Sequence, residues 1–122
     1  MSKRHRFQYV MDELAEHPGY LQRPMFGSIG CYFQGKFVAI LADREPPWRG
    51  LVVPTEKDQH AAILADFPML FPHPILPKWL MLEEDHDDFE EVATRIVECI
   101  REEDPRFGVI PKPKKKRKKP KL

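Results

Sequence analysis

The chain has few cysteines and no spacing typical of metal ligands. Its two cysteines, Cys31 and Cys99, form no Cys-x-x-Cys pair, and no histidine stands four residues from another. No apolar run approaches the ~20 residues of a membrane span, and the residues after Met1 lack the apolar core of a signal peptide. These absences predict a cytoplasmic protein with reduced thiols, no membrane span and no bound cofactor.

A catalytic constellation is also missing from the sequence. No Ser or Cys stands beside a His, and Gly27-Ser28-Ile29-Gly30 is too short for a phosphate-binding loop. Cys31 lies between Ile29 and Phe33 on one face of a predicted strand, so we expect a buried thiol without a nearby base. We therefore predict a non-enzymatic protein without catalytic, cofactor-binding or metal-binding residues, and we expect its histidines on the surface.

The spacing of apolar residues predicts three helices. Four apolar residues between positions 7 and 14 recur at helical spacing, which predicts a helix over residues 6–16. A longer apolar stripe follows Asp88, the expected N-cap of the last helix. Between them, Thr55 begins a capping pattern and predicts a helix that ends near Phe67.

Four strands are predicted around the middle helix. The first runs from Met25 to Phe33, and Gly27 and Gly30 inside it indicate a bulge or a close approach of backbone. The other three cover residues 37–42, 51–53 and 78–82, with a tight turn at residues 34–36 before the second strand. Residues 37–42 are apolar on both faces, as in a central strand. We therefore expect one α+β domain over residues 1–110, a small and mainly antiparallel sheet with helices packed on it.

One segment resembles a known family. The Met-Phe-Gly-x-x-Gly strand from Met25 and the Gly-Lys hairpin that leads to Asp43 resemble the N-terminal domain of the TfoX/Sxy competence regulators, which is structurally akin to the MmcQ/YjbR proteins. The resemblance covers about residues 6–110. It implies an α+β fold and a non-enzymatic role near transcription or competence regulation in a bacterium, through contact with a protein partner. It supplies no catalytic residues.

Charge divides the chain into two parts. Residues 1–111 carry 12 basic and 19 acidic residues, a net charge of −7, whereas residues 112–122 carry eight basic residues and no acid. Residues 111–122 cannot bury apolar surface, so we predict a tail that is disordered alone and that binds DNA or RNA phosphates independently of sequence. The predicted nucleic-acid-binding residues are Lys112, Lys114, Lys115, Lys116, Arg117, Lys118, Lys119 and Lys121. Two alternatives are a solubilising tail without a partner and a tail that docks on the acidic residues 83–91.

Three other segments are candidates for binding. Trp48 and Arg49 lie in a Pro-containing loop and form a candidate protein interface, although the tryptophan can also fold back over the sheet edge. The Pro-rich segment 68–77 contains many large apolar residues, so we expect it to pack across the sheet and to line a groove. Such a groove supports an alternative function as a small-ligand binder or enzyme. The acidic residues 83–91 suggest divalent-cation binding as a further alternative to a solvated loop.

Overall fold

The described part of the chain folds into six strands and three α-helices. The computed structural model describes residues 7–25, 27–45 and 48–111. The strands are β1 (Tyr20–Met25), β2 (Ser28–Phe33), β3 (Lys36–Asp43), β4 (Arg49–Val53), β5 (Phe71–Pro72) and β6 (Leu80–Glu83). The helices are α1 (Asp12–Ala15), α2 (His60–Asp66) and α3 (Phe89–Arg101), and 3₁₀ turns at Gln8–Met11 and Lys57–Gln59 precede the first two. The strands form one antiparallel sheet in the order β1-β2-β3-β4-β6-β5, which confirms the predicted α+β class.

The helices pack on one face of this sheet. Apolar residues of α1, α2 and α3 join those of the strands in a buried core, where Leu14, Ile63 and Ile96 are fully inaccessible to solvent. The strands contribute their helix-facing residues, such as Cys31 and Leu41, to the same core. No helix in the described ranges is long and apolar enough to cross a membrane. We call the opposite side of the sheet the outer face.

The segment from Met25 to Phe33, predicted as one strand, contains the last residue of β1 and the whole of β2. Met25 pairs with Ser28, so the chain reverses direction between β1 and β2. Gly27 has a φ of +79°, a value that glycine adopts without strain. The interpretation of Gly27 as a bulge within one strand was therefore wrong. At Gly30 the close neighbour is a side chain and not backbone, because an added Cβ would lie 2.9 Å from the Met25 methyl carbon.

A β-bulge sets which side chains of β3 reach the outer face. Cys31 pairs with Ala39 and Tyr32 pairs with Phe37, so β3 contains one extra residue, Val38. Val38 and Ala39 both face the helices, whereas Phe37 and Ile40 both face outward. The prediction that β3 is apolar on both faces is confirmed, and the bulge interrupts the alternation of its side chains between those faces.

The predicted start of the middle helix was also wrong. Thr55 is buried, and its hydroxyl donates a hydrogen bond of 2.6 Å to the carbonyl oxygen of Arg106 instead of capping a helix. Helical structure begins at Lys57 with a 3₁₀ turn, and α2 follows at His60. Asp88 occupies the predicted N-cap position of α3, but its side chain makes no capping hydrogen bond.

The C-terminal segment returns to the sheet after α3. Arg106 holds it in place through hydrogen-bonded ion pairs with Asp104 (2.9 Å) and Asp66 (2.7 Å). These bonds lower the pKa of Asp104 and raise that of Arg106. Val109 then pairs with Phe37 through two backbone hydrogen bonds of 2.8 and 3.0 Å, antiparallel to β3. The chain therefore reaches position 111 beside the first residues of β3.

Candidate functional site: an aromatic groove on the outer face

The outer face carries an apolar cluster of its own. Phe37, Ile40, Val52 and Met81 are buried there, and partly buried aromatic and aliphatic side chains pack around them. Because the helical residues of the core lie on the other side of the sheet, this cluster is covered by loops instead. Trp48 from the loop before β4 and Phe71 from segment 68–77 pack against this cluster, together with Trp79 and Val109.

The Pro-rich segment 68–77 packs along the sheet, as predicted. Its residues 71 and 72 form β5, which pairs with β6. His73, immediately after β5, is fully buried, and its backbone N–H donates a hydrogen bond of 2.9 Å to the carbonyl oxygen of Trp79. The His73 Nδ1 atom accepts hydrogen bonds from the backbone N–H groups of Ile75 (3.0 Å) and Leu76 (3.1 Å). Nδ1 therefore carries no proton, and the ring fixes the turn that places Leu76 over the sheet.

The expectation of surface histidines was wrong for His73. The imidazole is inaccessible to solvent, and its centroid lies 4.3 Å from that of the Trp48 ring. No sequence pattern pointed to the contact with Trp48, because it joins residues of two loops that are far apart in the chain. The only available signal was the position of His73 between two prolines in an apolar segment.

Trp48 folds back onto the sheet, as in the alternative that the sequence left open. It is half-buried in the outer cluster, and its backbone is fixed by hydrogen bonds to Arg44 (2.6 Å) and Glu45 (2.9 Å). Arg49 is exposed and donates a hydrogen bond of 3.3 Å from Nε to the carbonyl oxygen of Arg44. A protein-interface role for Trp48 and Arg49 stays a prediction.

A groove with a volume of about 1050 Å³ lies between these loops and the sheet. Six apolar side chains line it: Met25, Phe37, Ile40, Trp48, Leu76 and Trp79. Four polar residues complete the lining: Ser28, Asp43, Arg44 and Glu45. The pairing of β2 with β3 places Ser28 at the Asp43 end of the sheet, so the polar residues gather at one end of the groove.

Aromatic rings extend from the groove across the outer face. The ring of Phe37 meets that of Trp79 edge to face at 5.5 Å, and on its other side it stacks with Tyr32 at 4.9 Å. The Arg23 guanidinium lies 5.9 Å from the centroid of Tyr32. Planar groups thus follow one another over β1, β2 and β3, an arrangement suited to ligands with flat unsaturated rings.

Neither cysteine contributes to this groove. Cys31 is fully buried on the helix-facing side, as expected, and burial raises the pKa of its thiol to about 12. Cys99 is half-buried against the same core, and burial raises its pKa as well. A thiol with a raised pKa is a poor nucleophile near neutral pH.

The acidic residues 83–91 run from the end of β6 through a turn into the start of α3. The backbone N–H of Asp88 donates a hydrogen bond of 3.0 Å to His86 Nδ1, and the backbone N–H of His86 bonds to the carbonyl oxygen of Glu83. In the described part of the chain, no group of three or more His, Cys, Asp or Glu side chains is arranged to hold a metal ion. The structure therefore gives the divalent-cation alternative no support.

The eight cationic residues of the predicted tail lie outside the described residues. The structure does fix the position of the residues that lead to them, because Val109 is hydrogen-bonded to β3.

None of the family models, curated proteins and solved structures compared with this chain matches it. The resemblance to the TfoX N-terminal domain stays a prediction.

Proposed function

We propose that this protein is a non-enzymatic binding module whose ligand lies in the outer-face groove. The groove itself carries the proposal: at about 1050 Å³ it reaches the upper end of the ~300–1,000 Å³ typical of ligand sites. Apolar and aromatic side chains dominate its lining, and Ser28, Asp43 and Glu45 converge at one end, as in sites where a few polar groups orient a ligand. This combination supports the alternative function that the sequence suggested for segment 68–77.

The test is a titration of the ¹⁵N-labelled protein with planar fragments such as indole, quinoline and benzimidazole. We expect the Nε1–H signals of Trp48 and Trp79 to shift. Leu76→Glu places a charge in the lining and should abolish the shifts, whereas Ile75→Glu places the same charge on a neighbour that is 57% exposed and outside the lining. Shifts that are absent, or that persist in Leu76→Glu, would contradict the proposal.

We also propose that the cationic tail contacts nucleic acid. The division of charge supports it, since eight basic residues and no acid follow a body with a net charge of −7. Phosphate contacts of this kind release counterions, so the logarithm of the affinity should fall linearly with the logarithm of the salt concentration, with a slope no steeper than about −7 for eight contacts to duplex DNA.

The measurement is fluorescence anisotropy of labelled duplex DNA across a salt series, with the full chain and with a variant that carries Gln at all eight basic tail positions. We expect binding with a steep salt slope for the natural chain and its loss in the variant. Equal binding by the two proteins would refute the role of the tail.

A further inference from the structure

The groove and the cationic tail meet at one end of β3. Phe37 lines the groove, and Val109 pairs with Phe37 through two backbone hydrogen bonds. Because this pairing is antiparallel, the chain runs from Val109 toward the hairpin before β3, away from Asp43. Val109 also packs against the outer cluster. The tail therefore begins on the outer face, beside the Phe37 end of the groove.

The tail is long enough to follow any ligand along the groove. Eleven residues follow position 111, and an extended chain of that length spans at most about 36–40 Å. From Phe37 to Asp43 the strand covers only about 20 Å. A ligand that lies in the groove can therefore contact the tail at any point along its length.

The two ends of the groove differ in charge. Asp43 and Glu45 place two carboxylates at the far end and Arg44 one guanidinium, a net charge of −1, whereas the chain leads from Val109 at the near end into a tail with eight positive charges. Between the two ends, Phe37, Trp48 and Trp79 offer aromatic surface. A ligand that matches both features has flat rings for the groove and several negative charges for the tail.

We propose that the ligand is a single-stranded nucleic acid, whose bases enter the outer-face groove while its phosphates contact the tail. This inference rests on the proposed function and deepens it, because the tail alone binds phosphate without regard to strandedness. Bases of a single strand are free to stack on aromatic side chains, and each stacked base contributes a factor of about 5 to 150 in affinity. Bases in a duplex are already stacked and paired, so they do not enter the groove.

The test compares 12-nucleotide strands that differ only in their bases. The full chain is titrated with oligothymidine, with an abasic strand of the same length and with a duplex, at one salt concentration. An oligouridine strand tests RNA in the same way. We expect the base-bearing strand of at least one sugar type to bind about 5- to 150-fold more tightly than the abasic strand and to quench tryptophan fluorescence.

Variants then locate the bases. Trp79→Ala should lower single-strand affinity toward that of the abasic strand, while Trp79→Phe, which keeps a stacking ring, should retain most of it. Leu76→Glu and Ile75→Glu repeat the comparison with matched charge, in case the loss of Trp79 unfolds the protein. Affinity for the abasic strand should remain the same in Trp79→Ala and Trp79→Phe, and should be equal in the two Glu variants.

The outcomes separate this inference from the proposed function. Equal binding of abasic and base-bearing strands, in both DNA and RNA, overturns the inference and leaves the roles of the groove and the tail standing. Signals of Trp48 and Trp79 that change when the tail is neutralised, without any ligand, also overturn it, because the tail itself then occupies the groove. Failure of every strand to bind removes the nucleic-acid role of the tail together with the inference.

Discussion

Replacing His73 with Ala should destabilise the fold strongly, because a fully buried imidazole fixes the wall of the groove. Its Nδ1 atom accepts two backbone hydrogen bonds, of 3.0 and 3.1 Å, and its ring lies 4.3 Å from that of Trp48. Two lost bonds cost about 2 kcal/mol at about 1 kcal/mol each, and the lost ring contact adds about 1 kcal/mol. We therefore expect a loss of about 3 kcal/mol in the free energy of unfolding.

The chain provides a matched control for this prediction. His86 Nδ1 accepts a hydrogen bond of 3.0 Å from a backbone N–H two residues later, as His73 does, but the bond of His86 is exposed to solvent. His86→Ala should therefore cost no more than about 1 kcal/mol. His73→Phe keeps a ring beside Trp48 and removes the acceptor, so it should lose about 2 kcal/mol.

Urea unfolding followed by far-UV circular dichroism measures all three variants. All three variants are compared with the natural chain at the same pH, about 8. A loss in His73→Ala that is no larger than the loss in His86→Ala would refute the argument from burial.

Three further predictions concern the backbone, a thiol and an ion pair. Gly50→Ala should lower the free energy of unfolding by about 3 kcal/mol or more, because Gly50 has a φ of +136° and an added Cβ would collide with the backbone of β6. Gly35→Ala, at a φ of +83° but in open space, should lower it by only about 1 kcal/mol. Equal losses of the two variants in urea unfolding would contradict this prediction. Cys31 should resist iodoacetamide at pH 8 until urea unfolds the protein, since burial raises its pKa to about 12; mass spectrometry that finds rapid labelling in the folded state would refute this. The hydrogen-bonded ion pair with Arg106 lowers the pKa of Asp104 below its usual 3.8, so the pair stabilises the fold fully above that pH and less as the pH falls further. The difference in free energy of unfolding between the natural chain and Asp104→Asn should therefore shrink on acidification. A difference that stays constant with pH would contradict this prediction.

Much of the fold followed from local patterns in the sequence. Residues 37–42 are apolar on both faces, which predicted a central strand, and β3 is indeed flanked by β2 and β4. The apolar stripe of the last helix predicted α3, whose stripe is buried. These predictions were confirmed because burial of one or both faces of a helix or strand requires apolar residues at a regular spacing in the sequence.

The errors arose where tertiary contacts decide the outcome. The reversal of the chain between β1 and β2 was missed, although a glycine such as Gly27 in a short connection is a known hairpin signal. The bulge at Val38 has no such signal, because an inserted apolar residue looks the same as its neighbours. The groove could be anticipated only in part: the large apolar residues of segment 68–77 predicted that this segment lines a groove, but nothing predicted the buried His73 that fixes it.

The position of the tail relative to the groove depends on how far the pairing of β4 with β3 extends along β3. The paired residues of β3 and β4 run only from Ile40 to Asp43 on the β3 side, so the first part of β3 lacks β4 as a neighbour. Val109 occupies that place, and the chain thereby joins the sheet beside Phe37. Had β4 continued along β3, no backbone groups there would have been left for the C-terminal segment, and the tail would have started elsewhere. Because the bulge turns Phe37 to the outer face, the segment that fills the gap also leads the tail to the aromatic groove.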